Sequence, residues 1–275
     1  MTGPAVLSLF SLYGGILTMP LIKVIITAIY YLIVLFLMNP LTDIMGIKDG
    51  PFQFILTESI ILIAVIILNR RYVKQPIHWL PVNIMSILRK NSLPLSLAII
   101  FLLIFFRNHM YQFLISLLLS LIVAITEEYA FRGMIFRTLL ALSLKKFATL
   151  QATIASMMTA SLIFAAMHLV NLLSQPVWSV LCQVLYVIGL GILLAAIYLK
   201  TGSLLAAISV HWLIDFSSFY SQGIDPTQSP IDGPMEALLK GLFLNILFIG
   251  IATFILSSKH WKLLSILNIE DKIDE

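Results

Sequence analysis

Long apolar runs separated by short polar connections set the pattern of this chain. They fall at approximately 20–38, 52–68, 93–106, 110–142, 149–171, 177–199, 203–221 and 237–257. Most approach the roughly 20 residues that an α-helix needs to cross a hydrocarbon core. The pattern predicts an all-α polytopic membrane helix bundle, with about eight transmembrane helices in a single membrane domain over residues 1–275. The fourth run is too long for a simple span, so it is expected to kink or to extend beyond the bilayer. No soluble domain is inserted, and the longest connection, 69–92, is short and basic. Neither an internal repeat nor a low-complexity tract is visible. Pro40, Pro51, Pro94, Pro176 and Pro230 fall at or near predicted helix ends, where a missing backbone N–H is tolerated.

Composition sharpens this picture. The chain is 60% hydrophobic and 11% charged, with mean hydropathy +1.02, which excludes a soluble domain of this length because its surface alone would need more charge. The first long apolar run is followed by no small-residue cleavage signature, so no separate signal peptide is expected. The one cysteine, Cys182, excludes an internal disulfide framework or a cysteine-based metal cluster and reads as packing. The net charge of +4 is assigned to cytoplasmic loops and does not point to nucleic acid.

Basic residues orient the bundle. The loop with Arg70, Arg71, Lys74, Arg89 and Lys90 is expected in the cytoplasm. Arg137, Lys145, Lys146, Lys200, Lys259 and Lys262 then fall on the same side, and Asp43, Asp49, Asp225 and Asp232 on the other. Both termini become cytoplasmic. Lys48, Arg107 and Lys240 run against the trend. His78, His109 and His260 lie near predicted interfaces and read as anchors there. Glu58, within the second run, either faces the bundle or marks a misplaced boundary. The compact, Ile- and Lys-rich chain suggests a prokaryotic cell membrane.

Polar side chains inside the apolar runs carry the candidate chemistry. A charged residue at mid-bilayer costs roughly 3 kcal/mol, yet Glu127, Glu128, Arg132, His168, His211 and Asp215 all occupy such places. Glu128 and Arg132 are four residues apart on one helix face and can pair, so Arg132 reads as the structural partner of Glu128. Glu127 points about 100° away around the helix and has no local partner, which suits a general base; the competing reading is a structural ion pair. Phe164 and His168 are one turn apart on the next helix, as are His211 and Asp215 on the seventh. Convergence of Glu127, His168 and His211 would form an intramembrane polar pocket. A glutamate with a histidine can activate water, and a second histidine can donate to a developing oxyanion. The same Glu127, His168 and His211 could instead hold a metal ion, zinc in particular; the residues alone do not choose. Phe164 reads as packing beside the histidine. Asn171, one turn beyond His168, either supports it or caps the helix end. Neither a His-Glu-x-x-His motif nor a Gly-x-Ser-x-Gly elbow is present.

Three motifs in order carry a specific resemblance. Glu127-Glu128-Tyr-Ala-Phe-Arg132 is similar to the EExxxR motif of the CAAX protease and bacteriocin-processing (CPBP, or Abi) family, Phe164-Ala-Ala-Met-His168 to its FxxxH motif, and His211-Trp-Leu-Ile-Asp215 to its HxxxN/D motif. The resemblance covers about residues 118–220, and the first 90 residues carry no family motif. It implies an eight-helix core and a membrane endopeptidase related to CAAX prenyl protease 2. In such enzymes the residues matching Glu127 and His168 activate the attacking water, and those matching His211 and Asp215 form an oxyanion hole. This chain has Asp where relatives often have Asn. An ionised Asp cannot donate to an oxyanion, so Asp215 is protonated, orients His211 or ligates a metal. Members are described both as metalloproteases and as metal-independent glutamate proteases, which keeps zinc open. The implied partners are membrane lipids and a peptide or lipidated peptide substrate. The implied roles are maturation of peptides or bacteriocins, self-immunity, or CAAX-type processing, the bacterial roles being favoured. Two other classes compete. A proton-coupled transporter would also use intramembrane Glu, His and Asp, but the broken, repeated helices it calls for are not seen, and Gly189 and Gly191 lie in one helix without a counterpart. A non-catalytic membrane immunity protein would not need all three motifs intact.

Overall fold

A peptide group in lipid has no water to bond, so each spanning segment must satisfy its own backbone, which an α-helix does. The computed structural model describes residues 5–44, 46–47, 50–80, 109–222, 233–257 and 261–266, and helices dominate it. They are α1 (Ala5–Ile44), α2 (Pro51–Leu68), α3 (Met110–Glu128), α4 (Arg137–Ser143), α5 (Thr149–Met167), α6 (Val177–Thr201), α7 (Leu204–Gln222), α8 (Pro234–Leu256) and the short α9 (Lys262–Ile266). A π-helical turn, Asn69–Val73, prolongs α2, a π-helical segment, Tyr129–Phe136, joins α3 to α4, and a 3-10 turn, His168–Leu173, follows α5.

Among the described residues, 7 helical stretches are long and apolar enough to cross a membrane: Met19–Met38, Pro51–Val73, Met110–Ser143, Thr149–Leu173, Val177–Thr201, Leu204–Ser221 and Pro234–Leu256. They coincide with seven of the predicted runs, and the expected all-α polytopic bundle is what forms. The remaining run, 93–106, lies outside the described residues, as do Arg89, Lys90, Pro94, Pro230 and His260. One proline expectation needs correction, because α1 runs through Pro40, as it does through Pro20. Ending a helix leaves several N–H and C=O groups without partners, whereas a proline removes one donor. Pro51, in the first turn of α2, and Pro176, just before α6, stand where they were expected. The over-long fourth run is a continuous 34-residue rod, about 50 Å at 1.5 Å per residue, and its irregularity is the π segment.

Small residues draw the helices together. A methyl added to Gly189 on α6 would lie 2.6 Å from the Asn245 carbonyl oxygen on α8, and one on Gly191 would lie 2.7 Å from Ser161 Cβ on α5. Close backbone approach of this kind is how helices associate in lipid, where burying apolar surface gives no driving force. Asn245 Nδ2 adds a hydrogen bond to Leu185 O (2.6 Å), and Trp212 Nε1 on α7 donates to Leu117 O on α3 (3.0 Å). Cys182 is buried on α6 beside Ala237 of α8 and Tyr186, as packing requires. Side chains such as Ile25, Ile29, Phe243, Ile246 and Phe254 remain exposed on the outer face.

The start of the basic loop is a strap that sets the relative positions of three helices. Lys74 takes a left-handed conformation (φ 56°) and ends the π turn of α2. Asn69 then clasps the chain that follows: Nδ2 donates to Gln75 O (3.0 Å) and to Tyr129 Oη (3.0 Å), and Oδ1 accepts from Gln75 N (2.9 Å). Gln75 Nε2 donates to Thr138 Oγ1 (2.9 Å), and Arg137 Nη1 donates to Pro76 O. At the far end the carbonyls of His78 and Trp79 accept the Leu204 and Leu205 N–H groups (2.8 and 3.0 Å), two of the donors a helix N-terminus leaves open. His78, read from the sequence as an anchor, is half-buried in this strap; its burial, with the Arg137 guanidinium nearby, lowers its pKa. His109 is exposed at the start of α3.

Candidate active site

His211 sits at the centre of the polar cluster, seven residues into α7, or about 10 Å along its axis. It is 3% exposed, and both ring nitrogens face carboxylates. Nδ1 is 2.9 Å from Glu128 Oε1. Nε2 is 3.3 Å from Asp215 Oδ2 and 3.6 Å from Glu127 Oε2. Glu128 Oε1 also accepts Arg132 Nη1 at 2.6 Å, the i,i+4 pair that the spacing predicts. The glutamates are adjacent in sequence and diverge around α3, yet both reach the same imidazole.

Exposure divides the cluster. The side chains of Glu128 and Arg132 are 0% and 3% exposed, whereas Glu127 and Asp215 are 15% and 23% exposed. The Glu128–Arg132 pair is therefore a dry anchor that fixes the ring from behind. Glu127 and Asp215 form the edge that a ligand can reach. The π segment begins immediately after Glu128, and interruptions of this kind are frequent at functional sites.

Phe164 ties the clusters together. It is 1% exposed. The Arg132 guanidinium lies 4.4 Å over its ring, and its edge contacts reach His168 (centroids 4.9 Å apart) and His211 (6.0 Å). His168 stands where α5 gives way to the 3-10 turn, with Nδ1 3.0 Å from Phe164 O. A carbonyl can only accept, so Nδ1 carries the proton and Nε2 of the neutral ring is left as an acceptor. Asn171 turns away: Nδ2 donates to Gln183 Oε1 on α6 (2.8 Å), and its carbonyl accepts from Ser174 N and Gln175 N (3.0 and 2.8 Å). Its contribution to the helix end is thus made by its backbone. The Asp215 carboxylate lies where an orienting group for His211 would stand.

Zinc would require several donors turned toward one point. Among the described residues no three His, Cys, Asp or Glu side chains form such a group. The residues as arranged do not fit a metal centre.

The structure brings in residues that the motifs do not contain. Glu58 of α2 is 8% exposed. Its carbonyl meets Thr126 Oγ1 at 3.5 Å, and its side chain is within electrostatic range of Glu127 and Asp215. Of its two alternatives, facing the bundle is therefore the correct one. Tyr31 of α1 is within range of Glu127 and Glu58, and Tyr186 of α6 within range of Asp215 and Glu127. Glu58 was visible as a lone acid in an apolar run, whereas buried tyrosines carry no such signal. A separate cavity of about 140 Å³, lined among others by Lys23, Gln75, Thr138 and Lys145, lies against the strap and contains none of the cluster.

Residues 108–217 match the family model for the type II CAAX prenyl endopeptidase Rce1-like proteins. Neither a curated protein nor a solved structure matches the chain. The matched segment runs from just before α3 to just past Asp215 and includes all three motifs and the whole His211 cluster. By these motifs, and by the family model that spans them, the motif core of this chain is similar to the type II CAAX prenyl endopeptidase Rce1-like family.

Proposed function

We propose that this chain is an intramembrane endopeptidase that hydrolyses a peptide bond in a membrane-associated or lipidated peptide. The observation that carries the reading is the convergence of α3 and α7 on one half-open cluster, with a dry ion pair behind and carboxylates in front, and with Phe164 of α5 packed between it and His168. Structural ion pairs do not need an accessible second glutamate at their edge. In this reading Glu127, helped by the free Nε2 of His168, takes a proton from water as the oxygen attacks the scissile carbonyl carbon. His211, held by Glu128 and Asp215, donates toward the resulting oxyanion. The tetrahedral intermediate collapses, the C–N bond breaks, and the proton held on Glu127 passes to the departing amine. The products are a carboxylate and an amine, with one water consumed.

The proposed setting is a multi-pass protein of a prokaryotic cell membrane, with the strap and its Arg70, Arg71 and Lys74 on the cytoplasmic side. Maturation or immunity functions involving a secreted peptide are favoured over CAAX processing in the narrow sense. The experiment is cleavage of membrane-inserted peptides by purified protein in proteoliposomes, read by mass spectrometry. Wild-type protein is expected to yield defined new termini, and Glu127→Gln to slow the reaction by about 10²–10⁴-fold, the usual range for a lost general acid–base group. Equal cleavage by both proteins would remove the proposal.

A further inference from the structure

Acidic and basic side chains in this cluster are unequal in number. Glu58, Glu127, Glu128 and Asp215 lie together, and among the described residues their cationic neighbours are Arg132 and His211. Arg132 is committed to Glu128, and His211 is shared between Glu128, Asp215 and Glu127. Glu58 has neither. Its Oε2 is buried without a hydrogen-bond partner, and so is the Oγ1 of its neighbour Thr57. Both are more than nine-tenths buried. Buried polar groups normally find partners, and an unpartnered acid within a membrane bundle marks a place where something else binds.

The ligand implied is one that brings hydrogen-bond donors and positive charge. Resting on the endopeptidase reading above, we infer that Glu58 is a specificity-determining residue that receives a lysine or arginine side chain of the peptide close to the scissile bond. The electrostatic field of the cluster points the same way. Glu127 and Asp215 form its accessible edge, and Glu58 on α2 lies within electrostatic range of both, so a cation entering beside the reacting carbonyl would come under the influence of three carboxyls. An acidic side chain in the same place would meet repulsion. Glu58 also lies outside the segment matched by the family model, so this preference would belong to the chain itself and not to the shared core.

The test compares membrane-inserted peptides that carry either lysine or its uncharged isostere norleucine at successive positions within two residues of the cleaved bond. Wild-type protein is expected to favour lysine at one position by at least about tenfold in kcat/KM, the scale of a desolvated charge pair. In Glu58→Gln that ratio should collapse toward one, mainly through KM. Glu58→Met, similar in volume and without buried polar atoms, gives the same reading should glutamine unfold the bundle. A wild-type ratio of one at every position, or a ratio that survives both variants, overturns the inference. Binding of the same two peptides to Glu127→Gln protein in nanodiscs separates this from failure of the endopeptidase reading. A lysine preference in binding that vanishes when Glu58→Gln is added upholds the role of Glu58 even where nothing is cleaved. Equal binding of both peptides removes it.

Discussion

Replacing Arg132 by methionine should unfold the site from behind. The substitution removes the guanidinium 2.6 Å from Glu128 Oε1, in a pair whose side chains are 3% and 0% exposed. It also removes the cation 4.4 Å above Phe164. Glu128 Oε2 already lacks a partner, so only the His211 contact at 2.9 Å would remain to satisfy this carboxylate. Breaking a buried pair from one side costs about 3–5 kcal/mol, because it strands a charge, and the lost cation–π contact adds about 1–2 kcal/mol. The expected loss for Arg132→Met is therefore about 4–7 kcal/mol, large against the roughly 5–15 kcal/mol that typically holds a domain. Glu128→Leu combined with Arg132→Met strands no carboxylate and should recover about 2–4 kcal/mol of it. Cleavage should not recover, because His211 has lost the oxygen that fixes its Nδ1. Reversible unfolding in bicelles gives the double-mutant cycle, and peptide cleavage gives the second axis. A loss below about 1 kcal/mol for Arg132→Met, the level of a surface pair, would refute the dry-anchor argument, as would recovery of cleavage in the double variant.

Other consequences are separate from that one. Gly189→Ala places a methyl 2.6–3.1 Å from the Asn245 backbone, which cannot yield as a side chain can, and should cost about 1–3 kcal/mol, read as earlier thermal unfolding in detergent. His168→Phe keeps the ring packing on Phe164 but removes the acceptor nitrogen, so cleavage should fall while the unfolding midpoint holds. Dialysis against a chelator should leave cleavage unchanged, since the described donors do not form a metal cluster; a loss reversed by zinc alone would contradict this. His78 has a lowered pKa in the folded protein, so it favours the neutral form. Its contribution to strap stability should be present above the unfolded value near pH 6.5 and fade as the pH falls below it, a change seen in hydrogen exchange at Leu204 and Leu205 and absent in His78→Gln.

The helices were legible because the bilayer imposes its length on the sequence: 52–68, 149–171 and 177–199 agree with α2, α5 plus its 3-10 turn, and α6 to within a few residues. Pro40 misled because its cost in a helix is smaller than the cost of leaving a helix end open in lipid. The π segment after Glu128 had no signature of its own; only the excess length of the fourth run hinted at it. In the cluster, Glu128–Arg132 followed from i,i+4 geometry. That both glutamates meet one imidazole did not, since it depends on how α7 sits against α3, and that is fixed by Trp212, Leu117 and the strap. The strap itself read as a basic loop, because its bonds are made by carbonyls and amides that any sequence supplies. Asn171 shows the same limit: its spacing from His168 suggested a partner, and the partner is Gln183 from another helix.

Cleavage in a living membrane puts the central claim to its most direct test. Peptide termini would be compared in cells expressing wild-type chain and cells expressing Glu127→Gln, once both are shown to reach the membrane in equal amount. Termini found with wild type and missing with the variant are predicted, and they would also name the substrate. Identical termini in both, with the physiological effect of the protein intact in the variant, would contradict a hydrolytic role for the His211 cluster and leave a binding function in its place.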